Sequence, residues 1–191
     1  MATGHGHEHP PAGPENKKIA LLIAVLALVL AFSETLGKSA QTAGISSNVE
    51  AANLWAFFQA KTIRMTTVRT AAEAIEPQLP LVGNPAVRDA MTARVAEWKE
   101  SAARYDSEPD TREGRKELAK RAKATEARRD RSLAAYHKYE LSSAALQIAI
   151  VLASAAIITG TGALVWIAGA LGAVGVVFIG IALVAPAAHL F

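Results

Sequence analysis

From residue 141 to residue 186 the chain carries no Asp, Glu, Lys or Arg. The run reads LSSAALQIAIVLASAAIITGTGALVWIAGALGAVGVVFIGIALVAP, interrupted once, by Thr159-Gly160-Thr161-Gly162. A helix that crosses the hydrocarbon of a bilayer takes about 20 apolar residues. The run therefore holds two spans, 142–160 and 163–185, folded back on each other through a tight uncharged turn. The remaining residues must supply either a further span or something tethered to this hairpin.

A third apolar segment lies near the start. Residues 19–32, IALLIAVLALVLAF, follow Lys17-Lys18 and have the length of a secretory h-region. Residues 33–36 extend the run to 19–36, and no convincing small-x-small cleavage site stands directly after Phe32. About 18 helical residues reach about 27 Å, so the segment reads as a retained first span. Glu34 is its one acid, and Lys38 stands four residues later in the order that favours a helical pair. The two are read as an interfacial ion pair. Residues 1–18 are rich in Gly, Pro and His without apolar periodicity and read as a disordered tail. Within it His5, His7 and His9 alternate, and they are the candidate ligands for a divalent metal.

Charge is concentrated in residues 37–141, which hold 18 of the 20 Lys and Arg and 14 of the 17 Asp and Glu. That near-balance describes an ion-paired, solvated surface and argues against a nucleic-acid platform, which needs unopposed basic clusters. With no cysteine there is no disulfide frame, thiolate nucleophile or Cys-based metal site.

This insert between the first and second spans reads as helical. In 45–76, Leu54, Phe58, Lys61, Met65, Val68, Ala72 and Ile75 follow steps of four and three, a heptad seam that Leu79 continues. Lys61 is its polar intruder, the kind of residue that sets register or partner, and Trp55 and Phe57 widen the seam into an aromatic patch. Pro77, Pro80 and Pro85, with Gly83-Asn84 between, stop this helix and turn the chain. A second helix, 86–105, gathers Val87, Met91, Val95, Trp98, Ala102 and Tyr105 on one face, making a coiled-coil-like αα-hairpin. A third, 111–141, capped by Asp110 or Thr111, is charged at 11 of the 17 positions from 115 to 131 and runs on into the second span. Tyr136 and Tyr139 suit a headgroup belt, and Lys138 is the one base placed for lipid contact.

In the spans, Ala145, Ala149, Ala153, Ala156 and Gly160 line one face of the second, and Ala168, Gly172, Gly175 and Ala182 one face of the third. Lipid gives no hydrophobic drive for helices to meet, so small residues that admit close backbone approach mark packing faces, within the chain or between copies. Three spans put the insert and the C-terminus on one side. Weighing Lys17-Lys18 against Lys38, Arg131 and Lys138 leads to the insert and C-terminus in the cytoplasm.

The stretches SETLGKSAQT (33–42), NVEAANLWAFFQAKTIR (48–64) and QIAIVLASAAIITG (147–160) resemble a family of bacterial membrane proteins catalogued as a domain of unknown function, number 4337. The resemblance covers nearly the whole chain after the tail. It implies a bacterial inner-membrane setting and the order span, helical insert, two-span hairpin, and it carries over no catalytic or ligand residue.

The expected fold is thus an all-α membrane protein of three transmembrane helices with a long helical-hairpin insert between the first and second. The expected function is a structural or interaction scaffold: a homo-oligomer, or a partner for another protein, assembled through Leu54, Trp55, Phe58, Lys61 and Met65 in the insert and Ala149, Ala153, Gly172 and Gly175 in the spans. The alternative is a small channel or transporter subunit with Glu34, Lys38 and Gln147 along the path. No Gly-rich phosphate loop, paired helical histidines or nucleophile elbow points to an enzyme or a cofactor, and His137 beside Glu140 reads as an interfacial polar pair.

Overall fold

In the computed structural model, which describes residues 14–186, the described chain is helical and contains no strand. Helix α1 spans Pro14–Ile75, α2 Pro85–Asp106, α3 Arg115–Thr159 and α4 Gly162–Val184. Three stretches, within α1, α3 and α4, are long and apolar enough to cross a membrane. The first span and the first insert helix are segments of one helix, since no proline or glycine pair separates them.

The helix ends follow from local chemistry. Pro77 and Pro80 cannot donate a backbone N–H, and after Ile75 the chain tightens into a 3₁₀ turn over Glu76–Leu81. Asn84 then caps α2, its side-chain oxygen accepting from the Ala86 N–H at 3.0 Å, with Pro85 in the first turn where a missing donor costs nothing. Helix α3 begins four residues beyond the Thr111 start the sequence suggests. The chain from Glu108 is held in a turn, with the Arg112 N–H donating to the Glu108 carbonyl at 2.9 Å and Arg112 at φ 58°. Gly114 follows; a Cβ there would lie 2.7 Å from the Ser107 Cα, so only glycine lets the loop close against the helix start. At the other end Gly160 takes φ 67° while its N–H donates to Ala156, a left-handed stop that leaves only Thr161 before α4.

The chain divides into two compact units, one formed by residues up to Thr42 with those from Arg131 onward, the other by Ala43–Asp130. In the first unit the core comprises Leu26, Leu146, Ala149, Ala153 and Ala168. The three alanines are fully buried, whereas Leu28, Val151 and Val177 are 60, 66 and 58 % exposed. Small side chains thus face inward and large apolar ones outward, the reverse of a helical bundle built for water.

The second unit has the ordinary polarity. Leu54, Leu118 and Ala122 form its core with Trp55, Phe57 and Phe58 packed around them. The seam read in the sequence is the covered face of α1: Leu54, Lys61 and Ala72 are buried and Phe58, Met65, Val68 and Ile75 half-buried. On α2, Val95 is buried and Met91, Trp98, Ala102 and Tyr105 half-buried, while Val87 is exposed. The outer surface carries ion pairs such as Arg69–Glu73, Arg94–Glu97 and Arg128–Glu50.

Candidate functional site

The first unit carries an open groove of about 810 Å³ between α1 and α3. Helical spacing assembles it. Glu34, Lys38 and Gln41 recur on one stripe of α1, and Tyr136, His137, Glu140 and Gln147 on one stripe of α3. The two helices approach closely because Gly37 has no side chain; a Cβ would stand 3.1 Å from that of Tyr139. Beneath the groove, the Ser143 hydroxyl donates to Ser33 Oγ at 3.1 Å, and Ser33 Oγ donates to the Tyr139 carbonyl at 3.1 Å.

Within the groove, Gln147 Nε2 donates to Glu34 Oε1 at 3.3 Å, across 113 residues of sequence. Glu34 does not pair with Lys38, and the Lys38 ammonium has no partner among the described residues. Glu34 thus makes an amide–carboxylate contact between helices. Glu140 engages both neighbours on its own helix: the Tyr136 hydroxyl donates to its Oε1 at 2.8 Å, and His137 Nδ1 lies 3.2 Å from its Oε2. By accepting the Tyr136 hydrogen bond, the Glu140 carboxylate raises the pKa of that phenol above its ordinary value, and burial does the same for Tyr139. The groove therefore offers carboxylate acceptors, an unpaired ammonium and amide groups. Its serine hydroxyls are bonded to each other and to a carbonyl.

The small-residue faces meet inside the chain. A Cβ at Gly175 would come within 2.8 Å of Leu146 Cγ, and Leu26 lies against Gly172. Ala149 and Ala153 are buried in the same core. Ser142 Oγ donates to the Gly175 carbonyl at 2.8 Å, tying α3 to α4. Lys138 is buried, and its ammonium donates to the Pro186 carbonyl just beyond the C-terminal end of α4, where a cation complements the helix dipole.

In the second unit the candidate interaction residues likewise find partners within the chain. Lys61 lies 5.5 Å from the Phe57 ring centroid and 5.4 Å from that of Tyr105, and it pairs with Glu108 at 3.6 Å and Glu113 at 3.9 Å. Trp55 Nε1 donates to Glu126 at 2.9 Å. Arg115 stacks over Phe58, donates to Thr62 at 2.9 Å and pairs with Asp106. Met65 accepts from the same guanidinium. His5, His7 and His9 lie outside the described residues, and among those described no cluster of His, Asp and Glu could hold a metal. Sequence reasoning missed the Ser143–Ser33–Tyr139 link and the Arg115 centre. The signal for the first was present, since Ser33 and Gly37 are small residues four apart, as in the faces recognised elsewhere.

The family model described as a domain of unknown function (DUF4337) matches residues 15–185, and the chain belongs to that family. No curated protein and no solved structure matches it.

Proposed function

We propose that this member of a family without an assigned activity is a three-span integral membrane protein with a non-catalytic, structural or interaction role. The observation that carries the reading is the inverted polarity of the first unit, with buried alanine, glycine and serine beneath exposed Leu28, Val151, Val177 and Trp166. Exposed apolar surface of this extent is costly in water and costs nothing among lipid tails, where close-packed small residues hold helices together. The spans are those of α1, α3 and α4, and the charged residues 43–130 stand in water. The setting is a bacterial inner membrane, with the insert and C-terminus cytoplasmic.

For self-association the insert offers the face of α1 opposite its covered seam. Ile45, Val49, Ala52, Ala56 and Ile63 are all exposed there at helical spacing, whereas Leu54 and Lys61 are taken up within the chain. Alkaline carbonate extraction tests the membrane reading: the chain stays with the membranes and requires detergent. Release by carbonate, or a monodisperse chain in surfactant-free buffer, would refute it. Native mass spectrometry in mild detergent tests the scaffold: oligomers support it and monomers alone remove it. The convergence of Glu34, Lys38 and Gln147 on one groove favours a second reading, a channel or transporter subunit. That reading requires ion or proton flux in proteoliposomes that Glu34→Gln abolishes.

A further inference from the structure

We propose that the groove between α1 and α3 binds the headgroup of a phospholipid that carries a primary ammonium, such as a phosphoethanolamine. The inference rests on the three-span reading, because it takes the groove to open at the edge of the bilayer. Three observations point to this chemistry. The Lys38 ammonium has no partner among the described residues, and it sits one helical turn from Glu34 on the same stripe. Glu34 uses only Oε1 on Gln147, which leaves Oε2 open to a donor. Leu141 and Ala144 form an apolar side to the same groove, where an acyl chain would leave it. A phosphate placed on Lys38 sets the neighbouring ammonium within reach of the Glu34 carboxylate, which a charged N–H donor satisfies and a quaternary ammonium cannot. Glu140 adds a second negative charge, so an anionic headgroup with no ammonium meets repulsion that the zwitterion offsets.

The test uses the full chain in mild detergent, titrated with dioleoyl phosphatidylethanolamine, phosphatidylcholine or phosphatidylglycerol and read by native mass spectrometry of retained lipid. The expected result is preferential retention of the ethanolamine lipid, reduced about tenfold by Glu34→Gln and by Lys38→Gln, as expected for loss of one charge-assisted hydrogen bond. Both side chains are exposed, and Glu34→Gln keeps an acceptor for Gln147, so the fold is preserved. Equal retention of the three lipids, preference for phosphatidylglycerol, or an ethanolamine preference that survives both substitutions would overturn the proposal. Carbonate extraction of the membranes from which the chain is purified separates the two levels. An embedded chain with no headgroup preference defeats this inference alone, and a chain released by carbonate defeats the membrane reading with it.

Discussion

Substituting Gly175 by alanine tests whether close packing of α3 on α4 holds the first unit together. The added Cβ lies 2.8 Å from Leu146 Cγ and 3.3 Å from the Ser142 carbonyl oxygen. Ordinary carbon contacts are about 3.5–4.0 Å. Leu146 is fully buried, so relieving the contact moves α4 off α3 by several tenths of an ångström. Overpacking of this kind costs about 1–3 kcal/mol. Stretching the 2.8 Å bond from Ser142 Oγ to the Gly175 carbonyl adds about 0.6 kcal/mol. Alanine's better helix propensity returns up to about 1 kcal/mol, so with that full return the net loss is about 0.6–2.6 kcal/mol. Gly180 supplies the control on the same helix, since a Cβ there meets nothing within 4 Å. Gly180→Ala is therefore expected to be neutral or stabilising by up to about 1 kcal/mol. Stability would be read by circular dichroism as sodium dodecyl sulfate is titrated into dodecyl maltoside micelles. Leu146→Ala removes the obstructing side chain, so the double variant should lose less than the sum of the singles, by about 1 kcal/mol. Equal stability of Gly175→Ala and Gly180→Ala, or strict additivity with Leu146→Ala, would refute the packing argument.

Two further outcomes follow from the second unit. Lys61→Ala removes a buried ammonium held by two rings and leaves Glu108 and Glu113 without their shared cation, so thermal denaturation should show a loss of about 1–3 kcal/mol. A change under about 0.5 kcal/mol would mean that Lys61 behaves as an ordinary surface residue. The Glu117 carboxylate is held below its usual value of 4.5, first by the Ser107 hydroxyl and then by the Glu108 N–H. Its folded-state value is depressed, so its contribution is complete above that usual value and fades as pH falls through the lower one. Denaturation of the wild type and Glu117→Gln at several pH values should therefore show a gap at neutral pH that narrows in acid, and a constant gap would rule the carboxylate out as its source.

Helical periodicity is a property of neighbours along the chain, and what depended on it was legible without coordinates. The apolar stretches of α1, α3 and α4, the Leu54–Ala72 seam, the small faces of the last two helices and the breaks at Pro77 and Gly160 all belong to this class. Less was legible in the groove. Glu34, Lys38 and Gln147 could be singled out as polar residues in apolar company, but Lys38 at four residues' distance was the nearer partner for Glu34 than Gln147 at 113.

Tertiary structure decided what each face meets. A stripe of Ala149, Ala153, Gly172 and Gly175 fits a neighbouring helix of the same chain as well as one from another copy, because small residues carry shape and no address. Only the packed chain shows Leu26 and Leu146 filling it. Lys138, read as a surface base, is buried against the end of α4, where its acceptor, the Pro186 carbonyl, lies 48 residues away in sequence and is brought near only by folding.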